Sequence, residues 1–80
     1  MRLLDEIKDK PLSYVTLLLT YNEAGELRNQ LDRLIEHYGK IGHHHVSDND
    51  YQREITIAIY NESDISEFSE RIQQLIRKDE

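Results

Sequence analysis

The chain has 80 residues, of which 38% are hydrophobic and 32% are charged, with a net charge of -6 and no cysteine. The lack of cysteine excludes disulfides, thiolate metal sites and a cysteine nucleophile, and it favours a cytoplasmic protein. The acidic excess argues against direct nucleic-acid binding, because Lys and Arg supply most of that affinity.

The first residues carry a weak helical pattern. Leu3, Leu4 and Ile7 recur at helical spacing, and Pro11 then stops any helix. This pattern predicts an N-terminal arm or short helix over residues 1–12, followed by a single α+β domain over 13–80.

No apolar run reaches signal-peptide length or the roughly 20 residues of a membrane span, so we expect neither export by that route nor membrane insertion.

Residues 14–21, YVTLLLTY, are rich in aromatic, aliphatic and β-branched side chains and predict strand one. Asn22 is the expected cap of helix one, and Gly39 its terminator. One face of the strand would carry Val15, Leu17 and Leu19. The apolar stripe of the helix would comprise Leu27, Leu31, Leu34, Ile35 and Tyr38.

The second half of the chain predicts a hairpin and a helix. Residues 41–46 form a weaker strand two, residues 47–50 a polar turn, and residues 55–59 a strongly alternating strand three. Ser63 or Asp64 can cap the last helix, with Glu67 three residues after Asp64 in capping-box position. Its buried face would comprise Ile65, Phe68, Ile72, Leu75 and Ile76.

These elements predict a βαββα two-layer sandwich. A helical crossover makes strands one and two parallel, and inserting strand three between them gives a three-stranded sheet of order 1-3-2 with both helices on one face. In strand two we expect Val46 to point inward and His43 with His45 outward, because two buried unpaired histidines would be costly. The helix-free face would then carry Tyr14, Leu18, Ile41, His43, His45, Ala58 and Tyr60.

The helix-free face and strand one are the predicted protein-binding surfaces. A mixed aromatic and aliphatic surface with few charges usually binds something. Strand one is an edge without the lysines, prolines or bulges that discourage pairing, so we expect a protein partner, and a homodimer through residues 14–21 or through the helix-free face. Alternatively, the N-terminal arm covers this face in the same chain.

Acidic residues suggest a second surface. Glu23 with Asp48 and Asp50 should cluster, because the hairpin turn lies at the same end of the sheet as the start of helix one. These carboxylates could meet the basic groove of a nucleic-acid-handling protein, as in an acidic inhibitor. The alternative is that acids simply suit turns and helix N-termini.

The run Thr20-Tyr21-Asn22-Glu23-Ala24-Gly25-Glu26-Leu27, with Gly39-Lys40-Ile41 after the helix, resembles the opening of ACT-like regulatory domains. The histidine pair is similar to the ligand-sensing domain of nickel-responsive repressors. The resemblance implies a ferredoxin-like fold that binds a small effector or a divalent metal. This sequence departs from those families in three ways: it lacks the fourth strand, the cysteine ligand and a DNA-binding segment before Tyr14.

The histidines allow several interpretations. His43 and His45 lie at i and i+2 on a strand and could supply two imidazole ligands, completed by His37, Asp48 or Asp50. The alternative is a solvent-facing or interface pair. A small hydrolase would need a nucleophile, a base and an orienting group in one pocket, which the sequence does not indicate. We therefore expect a non-catalytic binding and regulatory module without a cofactor, with an ACT-like sensor as the alternative.

Overall fold

The computed structural model describes residues 1–38, 43–48 and 52–79. Its elements are β1 (Leu3–Asp5), β2 (Lys10–Leu12), α1 (Tyr21–Glu36), β3 (His44–Ser47), β4 (Glu54–Ile57) and α2 (Glu70–Lys78). They belong to two compact units. The terminal unit comprises Met1–Leu17 and Asn61–Glu80, and the central unit comprises Leu18–Tyr60.

A β-hairpin opens the terminal unit. β1 and β2 pair antiparallel, with Leu3 opposite Leu12. The Asp5 carboxylate closes the turn by accepting hydrogen bonds from the backbone N–H groups of Ile7 and Lys8, both at 3.0 Å, and Asp9 adopts a positive φ of 54°. Residues 1–12, interpreted from the sequence as an arm or short helix, are therefore a hairpin, because one Asp side chain satisfies two turn donors.

Helix α2 begins later than the sequence predicts. Ser69 is its N-cap, with the hydroxyl oxygen accepting from the Ile72 N–H at 3.3 Å. The expected caps at 63 and 64 are wrong because short polar side chains hold that stretch in turns. Asn61 Oδ1 accepts from the Ser63 N–H at 2.9 Å, and Asp64 Oδ1 accepts from the Ser66 N–H at 3.1 Å. Such local bonds compete with helix formation.

The terminal unit is held together by packing and by ion pairs. α2 packs against β2, and its Leu75 and Ile76 are buried. Arg71 donates from Nε to Asp9 Oδ1 at 2.7 Å, and Arg2 donates from Nη1 to Asp79 Oδ2 at 2.9 Å. Apolar burial supplies the larger share of the stability here, since exposed ion pairs contribute about 1 kcal/mol or less.

Helix α1 opens the central unit with a capping box at Thr20. The Thr20 hydroxyl accepts from the Glu23 N–H at 3.2 Å, and the Glu23 carboxylate accepts from the Thr20 N–H at 2.9 Å. The expected cap at Asn22 is therefore wrong, because the Thr-x-x-Glu spacing satisfies two helix-end donors at once.

The hairpin of β3 and β4 packs against α1. The strands pair antiparallel, with Val46 opposite Ile55 and His45 opposite Thr56. Val46 is buried, as is Leu34 of α1, whereas His43 and His45 are exposed. This is the orientation that the alternation along strand two predicts.

The predicted three-stranded sheet of order 1-3-2 is wrong. Two separate two-stranded sheets, β1-β2 and β3-β4, are present in the part of the chain that the structure describes, and each helix packs against a different one. Residues 14–20 form no strand. A β-rich composition reports how well side chains suit a pleated, half-buried surface, and it does not specify which strands pair.

Candidate functional site

Residues 14–20, the connecting segment, leave apolar side chains exposed. Tyr14 and Leu18 are 83% and 91% exposed, whereas Val15 and Leu17 are 45% and 49% exposed and Leu19 is half-buried. Exposure thus alternates with the period of an extended strand that has one face partly covered. Large apolar side chains exposed in succession mark an interaction site more often than a neutral surface.

The backbone of the connecting segment is also without hydrogen-bond partners in the described part of the chain. Among the residues that the structure describes, no N–H or C=O group of residues 14–19 takes part in a hydrogen bond. The segment further lies within residues 11–22, the longest run of this chain without a charged side chain. Unpaired backbone groups beside uncharged side chains are a template for another strand.

A second apolar surface runs along α1. Leu31 and Ile35 share one helix face and are exposed, Ile35 to 66%, and Tyr38 just beyond the helix is exposed as well. The predicted burial of the whole helix-one stripe is wrong at these three positions. A hairpin of two strands covers less of a helix than the three strands expected, so only Leu34 is fully buried.

The outer face of the β3–β4 hairpin carries a small polar cluster. His45 Nδ1 contacts the Glu54 carboxylate and the Thr56 hydroxyl at 2.8 Å. The His43 ring stands edge-on to the His45 ring, with 4.8 Å between their centroids. The structure therefore brings the two predicted histidines together and adds two partners, Glu54 and Thr56, that the sequence alone did not indicate.

The pairing of β3 with β4 explains why the sequence alone does not indicate Glu54 and Thr56. Thr56 lies directly opposite His45, and Glu54 lies two pairs further along, opposite Ser47, so that both side chains share the face of His45. Side chains on one face of an antiparallel pair meet across the strands. The alternation would have placed both residues on the histidine face, but only once the register of the hairpin was known.

This polar cluster lacks the geometry of a hydrolytic triad. In a triad the carboxylate holds one ring nitrogen of the histidine while the nucleophilic hydroxyl meets the other. Here the Glu54 carboxylate and the Thr56 hydroxyl both contact Nδ1 of His45. The arrangement can fix the orientation of the ring, but the carboxylate occupies the same nitrogen that would have to take the proton of the hydroxyl.

Metal-ligand geometry is likewise not found in the described ranges. Among residues 1–38, 43–48 and 52–79, no group of three or more His, Cys, Asp or Glu side chains is arranged to hold a metal ion. His43 and His45 supply two imidazoles, and the carboxylate beside them contacts a histidine nitrogen directly. Of the suggested completions, Asp50 lies outside the described residues.

The predicted acidic surface is made of residues with local roles. Glu23 completes the capping box of α1. Asp48 Oδ1 accepts from the backbone N–H groups of Gln52 and Arg53, at 2.9 and 3.3 Å. Loss of solvent contact raises the pKa of Asp48, but these hydrogen bonds outweigh it and hold that pKa below the usual aspartate range. Glu23 thus stabilises the start of α1, and Asp48 stabilises the loop between β3 and β4.

The remaining predicted site residues fall into three groups. Tyr14 and Leu18 lie in the connecting segment, and Tyr60, which follows β4, is half-buried. Ile41 lies outside the described residues. In the described ranges no single sheet face unites them, because residues 14–20, the expected first strand, are not part of a sheet.

Comparison with protein-family models, with curated proteins and with solved structures found no match. The resemblance to ACT-like domains, the sensor function and the acidic-inhibitor function therefore stay predictions. Neither α1 nor α2, the helices of the described ranges, combines the length and apolar character needed to cross a membrane.

Proposed function

We propose that this chain is a small, non-catalytic binding and regulatory module that acts through protein contacts. The observation that carries the proposal is the connecting segment, which combines exposed apolar side chains with backbone groups that have no hydrogen-bond partner among the described residues. Recognition by strand addition uses both properties, since the backbone supplies affinity and alternate side chains supply specificity.

The chemistry of the hairpin supports a non-catalytic role. His45 contacts the Glu54 carboxylate and the Thr56 hydroxyl through the same ring nitrogen, Nδ1. This arrangement suits a structural contact better than proton transfer. The lack of cysteine further supports a cytoplasmic location as part of the proposal.

The test is a binding experiment with matched variants. Leu18→Asp places a charge in the connecting segment at a side chain that makes almost no contact with its own chain. We expect it to abolish capture of protein partners by the tagged chain, including capture of an untagged copy. The control is Ile7→Asp, the same substitution at a residue that is 93% exposed in the turn between β1 and β2.

Retained folding of both variants is checked by circular dichroism. Loss of capture in Leu18→Asp but not in Ile7→Asp supports the proposal. A wild-type protein that captures nothing and is strictly monomeric by light scattering contradicts it.

A further inference from the structure

The connecting segment resembles a strand that lacks its neighbour. Its exposure alternates between 83% at Tyr14, 45% at Val15, 49% at Leu17 and 91% at Leu18. One face is thus partly covered by the chain itself, which is the situation of an edge strand in a half-buried sheet. Such a strand is completed by one more strand along its free backbone.

We infer that the missing strand is the connecting segment of a second copy of this chain, paired antiparallel about Leu17. This inference rests on the function proposed above and names its partner. An antiparallel pair centred on Leu17 places each residue opposite a residue equally far on the other side of the centre. The opposed residues are Tyr14 with Thr20, Val15 with Leu19, Thr16 with Leu18, and Leu17 with Leu17.

This register makes the segment complementary to itself. On the partly covered face, every contact joins two aliphatic side chains, Val15 to Leu19 and Leu17 to its own copy. On the other face, Tyr14 meets Thr20, an aromatic and β-branched combination that cross-strand pairs favour. The same residues serve both copies, as a two-fold interface requires.

Charge opposes contact between two copies over most of the chain and opposes it least along this segment. Each chain carries a net charge of -6, so two copies repel wherever their carboxylates approach. Residues 11–22 carry no charge, and they form the longest stretch along which two copies can meet without opposing like charges. The residues that repel elsewhere thus direct self-association to this segment.

The first test places charges at Thr16 and Leu18, which are both exposed and lie opposite each other only in the proposed register. Thr16→Lys with Leu18→Glu should form two Lys–Glu pairs and stay dimeric. Thr16→Glu with Leu18→Glu, and Thr16→Lys with Leu18→Lys, should each oppose like charges and weaken association at least tenfold. The two like-charge variants shift the net charge in opposite directions, so a general charge effect cannot weaken both.

Association is measured by sedimentation velocity from about 1 to 100 μM, the range in which a small interface associates. Circular dichroism confirms that each variant is folded.

The second test uses the lack of cysteine in this chain. Leu17→Cys should form a disulfide between copies under mild oxidation, because residue 17 faces itself, whereas Leu18→Cys should not, because the two copies of residue 18 are diagonal and too far apart.

Two results overturn the inference. Stronger crosslinking at residue 18 than at residue 17 excludes the register. A monomeric wild-type protein excludes the second copy, and the capture experiment then separates the two proposals. Leu18-dependent capture of a different protein leaves the binding function standing, whereas a monomer that captures nothing overturns both.

Discussion

Two polar atoms in the central unit are buried without a hydrogen-bond partner in the part of the chain that the structure describes. They are Gln30 Oε1 on α1 and His44 Nε2 on β3, two elements that pack against each other. A buried polar atom without a partner costs about 1–3 kcal/mol relative to its solvated state. This packing layer is therefore less stable than its apolar content implies.

Replacing the amide by an aliphatic side chain should stabilise the protein. Gln30→Leu removes the unpartnered oxygen and leaves an aliphatic side chain one bond shorter, so we expect the free energy of unfolding to rise by about 1 kcal/mol. Urea denaturation followed by circular dichroism measures the change. Gln74→Leu, on the exposed side of α2, is the matched control and should have an effect close to zero, and a loss of stability in Gln30→Leu would contradict the prediction.

Acid sensitivity arises at single carboxylates. A backbone hydrogen bond from Lys8 holds the pKa of Asp5 below its ordinary value, a side-chain hydrogen bond from Ser66 does so for Asp64, and the loop bonds described above do so for Asp48. A lowered folded-state pKa contributes stability that is complete above the unfolded-state value, about 3.9. That contribution is lost as the pH falls through the folded-state pKa.

We therefore expect the melting temperature to fall once the pH drops below about 4. Asp48→Asn should lower the melting temperature at neutral pH and flatten its decline in acid. Asp32→Asn is the control, because Asp32 is exposed on α1 and forms no hydrogen bond or ion pair among the described residues. An unchanged acid profile in Asp48→Asn would be inconsistent with this explanation.

At the level of elements, the start of α1 depends on Thr20. Thr20→Ala removes the hydroxyl that accepts from the Glu23 N–H and should lower the free energy of unfolding by about 1 kcal/mol. Asn22→Ala, one residue inside the helix, should change it little or raise it slightly, because Ala has the higher helix propensity. Chemical denaturation of the two variants checks the order, and equal losses would argue against Thr20 as the cap.

The elements also show how far sequence patterns reach. Helix α1 and the β3–β4 hairpin follow from apolar periodicity, and the outward direction of His43 and His45 follows from alternation along the strand. The Thr20 cap was readable as well, since Thr-x-x-Glu is a capping-box spacing. The pairing of strands was not readable, because residues 14–20 have the composition of a strand whether or not a neighbouring edge is available.

At the scale of the whole molecule, each unit has its own small core. Among the described residues, Leu34 and Val46 are the fully buried apolar side chains of the central unit, and Leu75 and Ile76 are those of the terminal unit. So few buried side chains imply modest stability for each unit. Local opening should therefore be measurable within each unit.

Hydrogen exchange can resolve the two cores. Leu34→Ala should expose the amides of α1 and the β3–β4 hairpin, and Leu75→Ala those of α2 and the β1–β2 hairpin, since a buried Leu→Ala change costs about 2–5 kcal/mol. Each variant serves as the control for the other. Identical protection losses across the chain in both variants would show instead that the molecule opens as one cooperative unit.

The terminal unit joins residues that are far apart in the chain, and this has a consequence for synthesis on the ribosome. The β1–β2 hairpin is translated first, but α2, with the Arg71 that reaches Asp9, is translated after the whole central unit. During elongation the central unit can fold while the hairpin still lacks its helix. The hairpin therefore stays without its helix until residues 70–78 have left the ribosome, and the terminal unit is the last part of the molecule to be completed.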